Sequence, residues 1–202
     1  MKELILVRHG ESVYMVRGLT GGWTDTPLTD KGKQQAHLTG CVLQYVTDPF
    51  DFYSSNLQRA AQTAQIIGEA LSKQPIFVPE LREHNNGIAV NCTREKADKI
   101  RHPITEPIMD WIPYPGAESW RNLHTRVTTF MDSIQSHDLI LIVAHSMVIV
   151  SLIHWWLNFS EDIITSVSYD IDPCSITRLT INSWGEKTIS KLNDTGHLCS
   201  HS

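Results

Sequence analysis

The chain lacks any apolar run long enough to cross a bilayer, and its opening Leu4-Ile5-Leu6-Val7 stops after four residues at Arg8, too short for a signal-peptide core. Cysteine is scarce. Cys41, Cys92, Cys174 and Cys199 are scattered without a CxxC pair in a chain of 202 residues, large enough to fold without staples, so they read as reduced, small hydrophobic residues. Basic charge is in deficit: 17 Lys and Arg against 22 Asp and Glu leave a net charge of −5. That excludes a general nucleic-acid or anionic-membrane binder and makes any phosphate site local. The histidines outside positions 9 and 145 form no HExxH or other compact zinc spacing, and the His197-x-Cys199-x-His201 tail reads as a frayed chain end over about residues 195–202. Repeats and low-complexity tracts are absent, and the sequons at Asn91, Asn158 and Asn193 carry no weight without a targeting segment. The expectation is a cytoplasmic protein with one globular domain over residues 1–202, 41% hydrophobic and 19% charged.

What is present is an alternation of strand-like and helix-like segments. Leu4 to Val7 suits a buried parallel strand, and Leu139 to Ala144 a central one, apolar without alternation as a strand covered on both faces requires. Phe50-Asp51-Phe52-Tyr53 and Ile76-Phe77-Val78 add two short strands. Cys174 to Ile181 and Lys187 to Leu192 alternate around Ser183-Trp184-Gly185-Glu186 as a terminal hairpin. Thr29 caps a helix reaching about Val46, Ser54 and Ser55 offer caps to one from about Asn56 to Leu71, Glu118 to Ser136 carries an apolar stripe, and Ser146 to Leu157 is apolar nearly all round. The pattern predicts an α/β three-layer sandwich with a mostly parallel central sheet and helices on both faces. From His84 to Ala117 it weakens into Asn85-Asn86-Gly87, a short polar helix near Thr93 to Ile100 and prolines at 103, 107, 113 and 115, which reads as an inserted lid.

In open α/β sheets ligands gather outside the carboxyl ends of the strands. Arg8-His9-Gly10 follows the first strand, Arg59 opens the helix after the second, Glu83 follows the third, and His145 and Ser146 follow the central one. Each has an ordinary explanation alone: a solvated arginine, a loop carboxylate, an interior histidine. Their ordered arrival at one edge favours chemistry. A neutral imidazole can attack phosphorus, guanidinium groups can hold the phosphoryl oxygens, and Gly10 removes a Cβ from the approach. A phosphate monoester is a dianion, so Arg8, Arg59 and a protonated His145 would balance it. A carboxyl beside bound phosphate keeps its proton through like-charge repulsion, so Glu83 could protonate the leaving oxygen and then activate water.

These residues resemble the histidine phosphatase superfamily, also called the phosphoglycerate mutase-like family. Leu6-Val7-Arg8-His9-Gly10-Glu11-Ser12 is similar to its signature, Gly22-Trp23-Thr24-Asp25-Thr26-Pro27-Leu28-Thr29 to the following loop, and Ser54-Ser55-Asn56-Leu57-Gln58-Arg59-Ala60 to its second-arginine segment. Leu81-Arg82-Glu83, Pro115-Gly116-Ala117-Glu118-Ser119 and Val143-Ala144-His145 follow in the family's order. The resemblance implies His9 as nucleophile, Glu83 as proton donor and base, and Arg8, Arg59 and His145 as the phosphate pocket. It implies no metal and no organic cofactor. Two positions depart from the pattern: Met15 stands where many members have asparagine, and Ser146 where many have glycine. Met15 removes a donor; Ser146 could restore one to the phosphate through its hydroxyl or could crowd the site. Glu118 reads as a helix N-terminal carboxylate rather than a catalytic acid.

The resulting expectation is a phosphomonoester hydrolase acting on a small-molecule phosphate ester, with a phosphoglycerate-type phosphomutase as the first alternative and a non-catalytic phosphate-binding module as the second. The length is closer to the family's phosphatases than to its longer glycolytic mutases. Ser146 in Ala144-His145-Ser146-Met147-Val148 makes a poor serine nucleophile, because β-branched Val148 stands where a nucleophile elbow needs glycine. Tyr14, Met15, Trp111 and Tyr114 suggest an amphipathic leaving group, and Arg17 and Arg82 are candidates for a second anion. A homodimer is left open.

Overall fold

The computed structural model describes residues 1–47, 49–134 and 138–199. Six strands, β1 (Glu3–Arg8), β2 (Phe50–Ser55), β3 (Ile76–Val78), β4 (Leu139–Ala144), β5 (Ile176–Ile181) and β6 (Lys187–Asp194), form one sheet in the order β3-β2-β4-β1-β5-β6. The first four in that order run parallel, while β5 and β6 add an antiparallel edge. The helices are α1 (Val13–Val16), α2 (Asp30–Leu43), α3 (Gln58–Leu71), α4 (Arg94–Lys99), α5 (Trp120–Ser133), α6 (Ser146–Leu157) and α7 (Glu161–Ile164).

The unalternating apolar strands are explained by cover on both faces. Leu4, Leu6, Ile140 and Ile142 pack with Leu123, Val127 and Met131 of α5 and Val148, Leu152 and Trp156 of α6. Ile5, Val7, Leu141 and Val143 point the other way, to Leu43 of α2 and Ala60, Ala64 and Ile67 of α3. Burying each large aliphatic side chain contributes about 1.5–3 kcal/mol, so the sheet centre is the most strongly held part of the chain. Among the described residues no helix is long and apolar enough to cross a membrane.

Two helix starts and one helix end differ from expectation. Ser54 and Ser55 belong to β2, and α3 starts only after Leu57, whose N–H donates to Ser55 Oγ at 3.2 Å. Helix α5 starts at Trp120 rather than Glu118, because Ser119 caps it reciprocally with Asn122; the expected end at Ser136 lies outside the described residues. Thr29 does cap α2, though that helix stops at Leu43 rather than Val46. The described part of the tail is docked, not frayed: Gly196–Leu198 is a 3-10 turn, and His197 Nε2 lies 2.9 Å from Thr39 Oγ1. His201 lies outside the described residues.

The exit of β1 is packed backbone to backbone against the start of α2. A Cβ on Gly10 would lie 2.5 Å from the Gly32 carbonyl oxygen, and one on Gly32 would lie 2.0 Å from the Glu11 carbonyl oxygen. Helix propensity alone favours alanine over glycine by about 1 kcal/mol. Here the clash dominates, and Gly32→Ala is expected to destabilise by about 1–3 kcal/mol in urea unfolding; a gain in stability would contradict this packing.

Candidate active site

Because the four inner strands run parallel, their carboxyl ends share one edge. His9 follows β1 and His145 follows β4; the register places Arg8 beside Ala144, and the His9 N–H donates to the Ala144 carbonyl at 3.0 Å. The two imidazoles meet edge to face with centroids 5.1 Å apart. Arg59 enters from the first turn of α3, and Glu83 from the segment after β3 and its 3-10 turn Pro79–Leu81. His9, Arg59, Glu83 and His145 are all buried, which for an arginine and a glutamate is unusual without a task.

Hydrogen bonds assign the His9 tautomer. Nδ1 lies 2.7 Å from the Gly10 carbonyl oxygen, which can only accept, so Nδ1 carries the proton and Nε2 the lone pair. Arg59 Nε–H donates to that Nε2 at 3.1 Å. Burial, reinforced by Arg59 and Arg8, holds the His9 pKa well below the ordinary imidazole value. The nucleophile expected from sequence is thus a neutral imidazole with its outer nitrogen unprotonated.

Arg59 is itself fixed by two backbone carbonyls, Nη1 donating to Thr24 at 2.7 Å and Nη2 to Gly22 at 2.8 Å, with the Tyr14 ring 5.0 Å from its guanidinium carbon. Gly22 makes the approach feasible: its φ is +58°, and a Cβ there would fall 2.3 Å from Asn86 Oδ1. Arg8 Nη1 donates to the Ile171 carbonyl, and its Nε is buried without a partner among the described residues.

His145 Nε2 lies 2.9 Å from Ser55 Oγ, an oxygen that already accepts the Leu57 N–H. With the Ser55 hydroxyl donating to Nε2, the ring proton sits on Nδ1, which is buried with no partner among the described residues. The expectation of a protonated His145 is corrected for the protein groups alone: burial first, then Arg59, His9 and Arg8, hold its pKa well below normal. A neutral ring still offers one N–H. Arg8 Nε and His145 Nδ1, on the residue before His9 and on the ring packed against it, are therefore two unsatisfied buried groups, and such groups call for a ligand or a catalytic role.

Glu83 is held through both oxygens. Oε1 accepts the His84 N–H at 2.9 Å, and Oε2 accepts the Ser146 hydroxyl at 3.2 Å and the Met147 N–H at 3.4 Å. Ser146, expected on the phosphate, has its hydroxyl on this carboxylate. With His145 engaged by Ser55 and Ser146 by Glu83, the pair a serine hydrolase needs is not formed. Glu118 stands apart, paired with Arg126 at 2.6 Å.

A cavity of about 540 Å³ opens on Tyr14, Gly22, Glu83 and Ser146, residues that also contact His9, Arg59 or each other. Its far wall includes Arg94, Ala97, Asp98 and Arg101. Arg17 and Arg82 do not line it; Arg82 donates to Asn56 at 2.7 Å and stacks on Trp23. The two cavity arginines were missed; Arg94, Ala97 and Asp98 lie at i, i+3 and i+4 on one face of α4, and Arg101 follows just beyond its end.

Comparisons with known proteins identify the family and the fold. Residues 4–195 match the model of the histidine phosphatase superfamily (branch 1). The chain is 34% identical over 167 residues to the 2,3-bisphosphoglycerate-dependent phosphoglycerate mutase of Bartonella henselae, covering 75% of this chain and 80% of that protein. It is 38% identical over 138 residues to fructose-2,6-bisphosphatase TIGAR B of Danio rerio, covering 65% of this chain and 52% of that protein. The α-ribazole phosphatase of Shigella flexneri superposes with a TM-score of 0.80 at 26% identity, over 95% of this chain and 96% of that one. A family model spanning nearly the whole chain, on a fold that gathers both histidines and Arg59 at one sheet edge, shows that this chain belongs to the histidine phosphatase superfamily.

Proposed function

We propose that this chain hydrolyses small-molecule phosphate monoesters through a covalent phosphohistidine on His9. The observation that carries the reading is the His9 lone pair on Nε2, set by the Nδ1 bond to Gly10 and placed against Arg59. In the first step Nε2 attacks phosphorus while the ester P–O bond breaks, and Glu83 gives a proton to the departing oxygen. Arg59 Nε–H exchanges its bond to Nε2 for one to a phosphoryl oxygen, and Arg8 and the His145 Nδ1–H take others. In the second step the Glu83 carboxylate takes a proton from water. The water oxygen attacks phosphorus, the P–N bond breaks, and His9 returns neutral. In this scheme Ser146 orients Glu83.

Phosphomutase action is the second reading, favoured by the identity to a phosphoglycerate mutase and by Arg94 and Arg101 in the cavity wall, the latter paired with Asp98 at 2.6 Å, where a second anionic group could sit. A panel of phosphomonoesters assayed in EDTA, alongside transfer between phosphoglycerate positions, separates them. Release of inorganic phosphate well above transfer supports the hydrolase; transfer dominating over release would replace it with the mutase.

The buried and half-buried histidines also set a pH dependence of stability. The pKa values of His9, His84, His124, His145 and His154 are all lowered, with burial the largest cause for each. The unfolded chain therefore binds protons that the folded chain refuses as the pH falls below 6.5, the ordinary imidazole value. Their contribution is fully present above that pH and is lost on acidification, at about 1.4 kcal/mol per pH unit for each proton taken up. Tm is expected to change little between pH 7.5 and 6.5 and to fall steeply from there to pH 5.5, before the carboxylates titrate. A flat Tm over that interval would contradict the burial of these rings.

A further inference from the structure

Beside the catalytic cavity lies a second one of about 370 Å³, whose own walls are Ile108, Trp111, Pro113 and Trp120. It shares His84, Arg101, Tyr114 and Met147 with the first, so the two chambers have a common wall. Their chemistry differs. The first presents Glu83, Asn86, Arg94, Asp98 and Ser146, whereas the second is almost wholly aromatic and aliphatic.

Imperfect loop packing would be the ordinary explanation for a void beneath a proline-rich segment. Packing voids are rarely larger than a water molecule. This chamber is more than twice the roughly 150 Å³ that accommodates a benzene ring, which gives room for a fused bicyclic group. Its walls are also secured by polar anchors at their edges. Trp111 Nε1–H donates to the Pro103 carbonyl at 2.9 Å, and the Tyr114 hydroxyl accepts from Arg101 Nε and Nη2 at 3.2 and 3.1 Å. Arg101 and Tyr114, held to each other by these bonds, line both chambers at their junction.

We infer that the second chamber receives an aromatic or branched aliphatic part of the leaving group, so that the preferred substrates are phosphomonoesters of amphipathic alcohols. This rests on the phosphomonoesterase reading for the position of the phosphate. The leaving-group oxygen would stay near Glu83 while the apolar part reaches past Arg101 and Tyr114 into the adjoining chamber, exchanging water for tryptophan and aliphatic contacts.

The test compares ethyl with 2-naphthylmethyl groups, whose parent alcohols have similar leaving ability. Ethylphosphonate and 2-naphthylmethylphosphonate report binding by calorimetry, and the corresponding phosphate esters report kcat/KM. The naphthylmethyl ligand is expected to bind at least 10-fold tighter, and Trp111→Ala and Ile108→Asp are each expected to reduce that ratio below threefold. The ratio serves as its own control for loss of folded protein. Equal binding of both phosphonates, or a ratio that survives both substitutions, overturns the inference. An affinity ratio without hydrolysis of either ester sustains the chamber and removes the hydrolase reading. Hydrolysis of both esters without a ratio in binding or kcat/KM sustains the hydrolase and removes the chamber.

Discussion

His9→Ala is expected to lower kcat/KM for phosphomonoester hydrolysis by about 10⁴-fold or more. The size follows from what the side chain supplies. Its Nε2 lone pair is the atom that bonds to phosphorus in the proposed mechanism, and neighbouring water cannot take over without losing both the position and the intermediate. The substitution removes two hydrogen bonds, to Gly10 and from Arg59, and leaves the Arg59 Nε–H without its partner. Arg59 retains its anchors on Thr24 and Gly22, so the pocket cation should stay in place. Steady-state kinetics read beside a thermal melt separate the chemical loss from an unfolding loss. Residual activity above 1% of wild type in a folded His9→Ala protein would point to another nucleophile.

Glu83→Gln is expected to cost about 10² to 10⁴-fold, the usual contribution of a positioned acid or base. Its size should depend on the leaving group. An alkyl phosphate, which expels a strongly basic alkoxide, should show the full loss, whereas p-nitrophenyl phosphate, whose phenolate needs little protonation, should lose less in the first step. Glutamine also places an NH2 where one oxygen accepts donors from His84 or from Ser146 and Met147, so a lower Tm should accompany the change. An equal loss on both substrates would argue that Glu83 acts through structure or the second step rather than by proton donation to the alcohol.

The sheet was legible because its strands carry unusual signals. Leu4 to Val7 and Leu139 to Ala144 are continuous apolar runs, which a strand covered by helices on both faces requires, and the structure buries them between two separate clusters. The same logic placed His9 and His145 at neighbouring strand ends. Shorter elements escaped detection: Val13–Val16 and Glu161–Ile164 are four-residue helices, too short to show a period. Ser54 and Ser55 read as caps because serine favours helix starts, yet the pairing of Ser54 with Phe77 and Ser55 with Val78 kept them in β2.

At the site, identities were more legible than charge states and partners. Nothing local marks His145 as neutral; that follows from complete burial and from Arg59, Arg8 and His9 arriving from other segments. Ser146 is next to His145 in sequence, so its contact with Glu83, 63 positions away, needed the fold. Arg17 and Arg82 looked suitable for a second anion on charge alone, but Arg82 is spent on Asn56 and Trp23 while Arg94 and Arg101 line the cavity. Charge identifies candidates; backbone direction decides which of them reach the ligand.

The most direct measurement is to mix enzyme with a phosphomonoester, quench it under alkaline conditions that preserve phosphoramidates, and map the modified residue by mass spectrometry. One phosphoryl group on His9, formed rapidly, enriched by Glu83→Gln if dephosphorylation becomes slow, and missing from His9→Ala, is the predicted result. Turnover without a phosphorylated protein, or with the phosphoryl group on a residue other than His9, would contradict the mechanism.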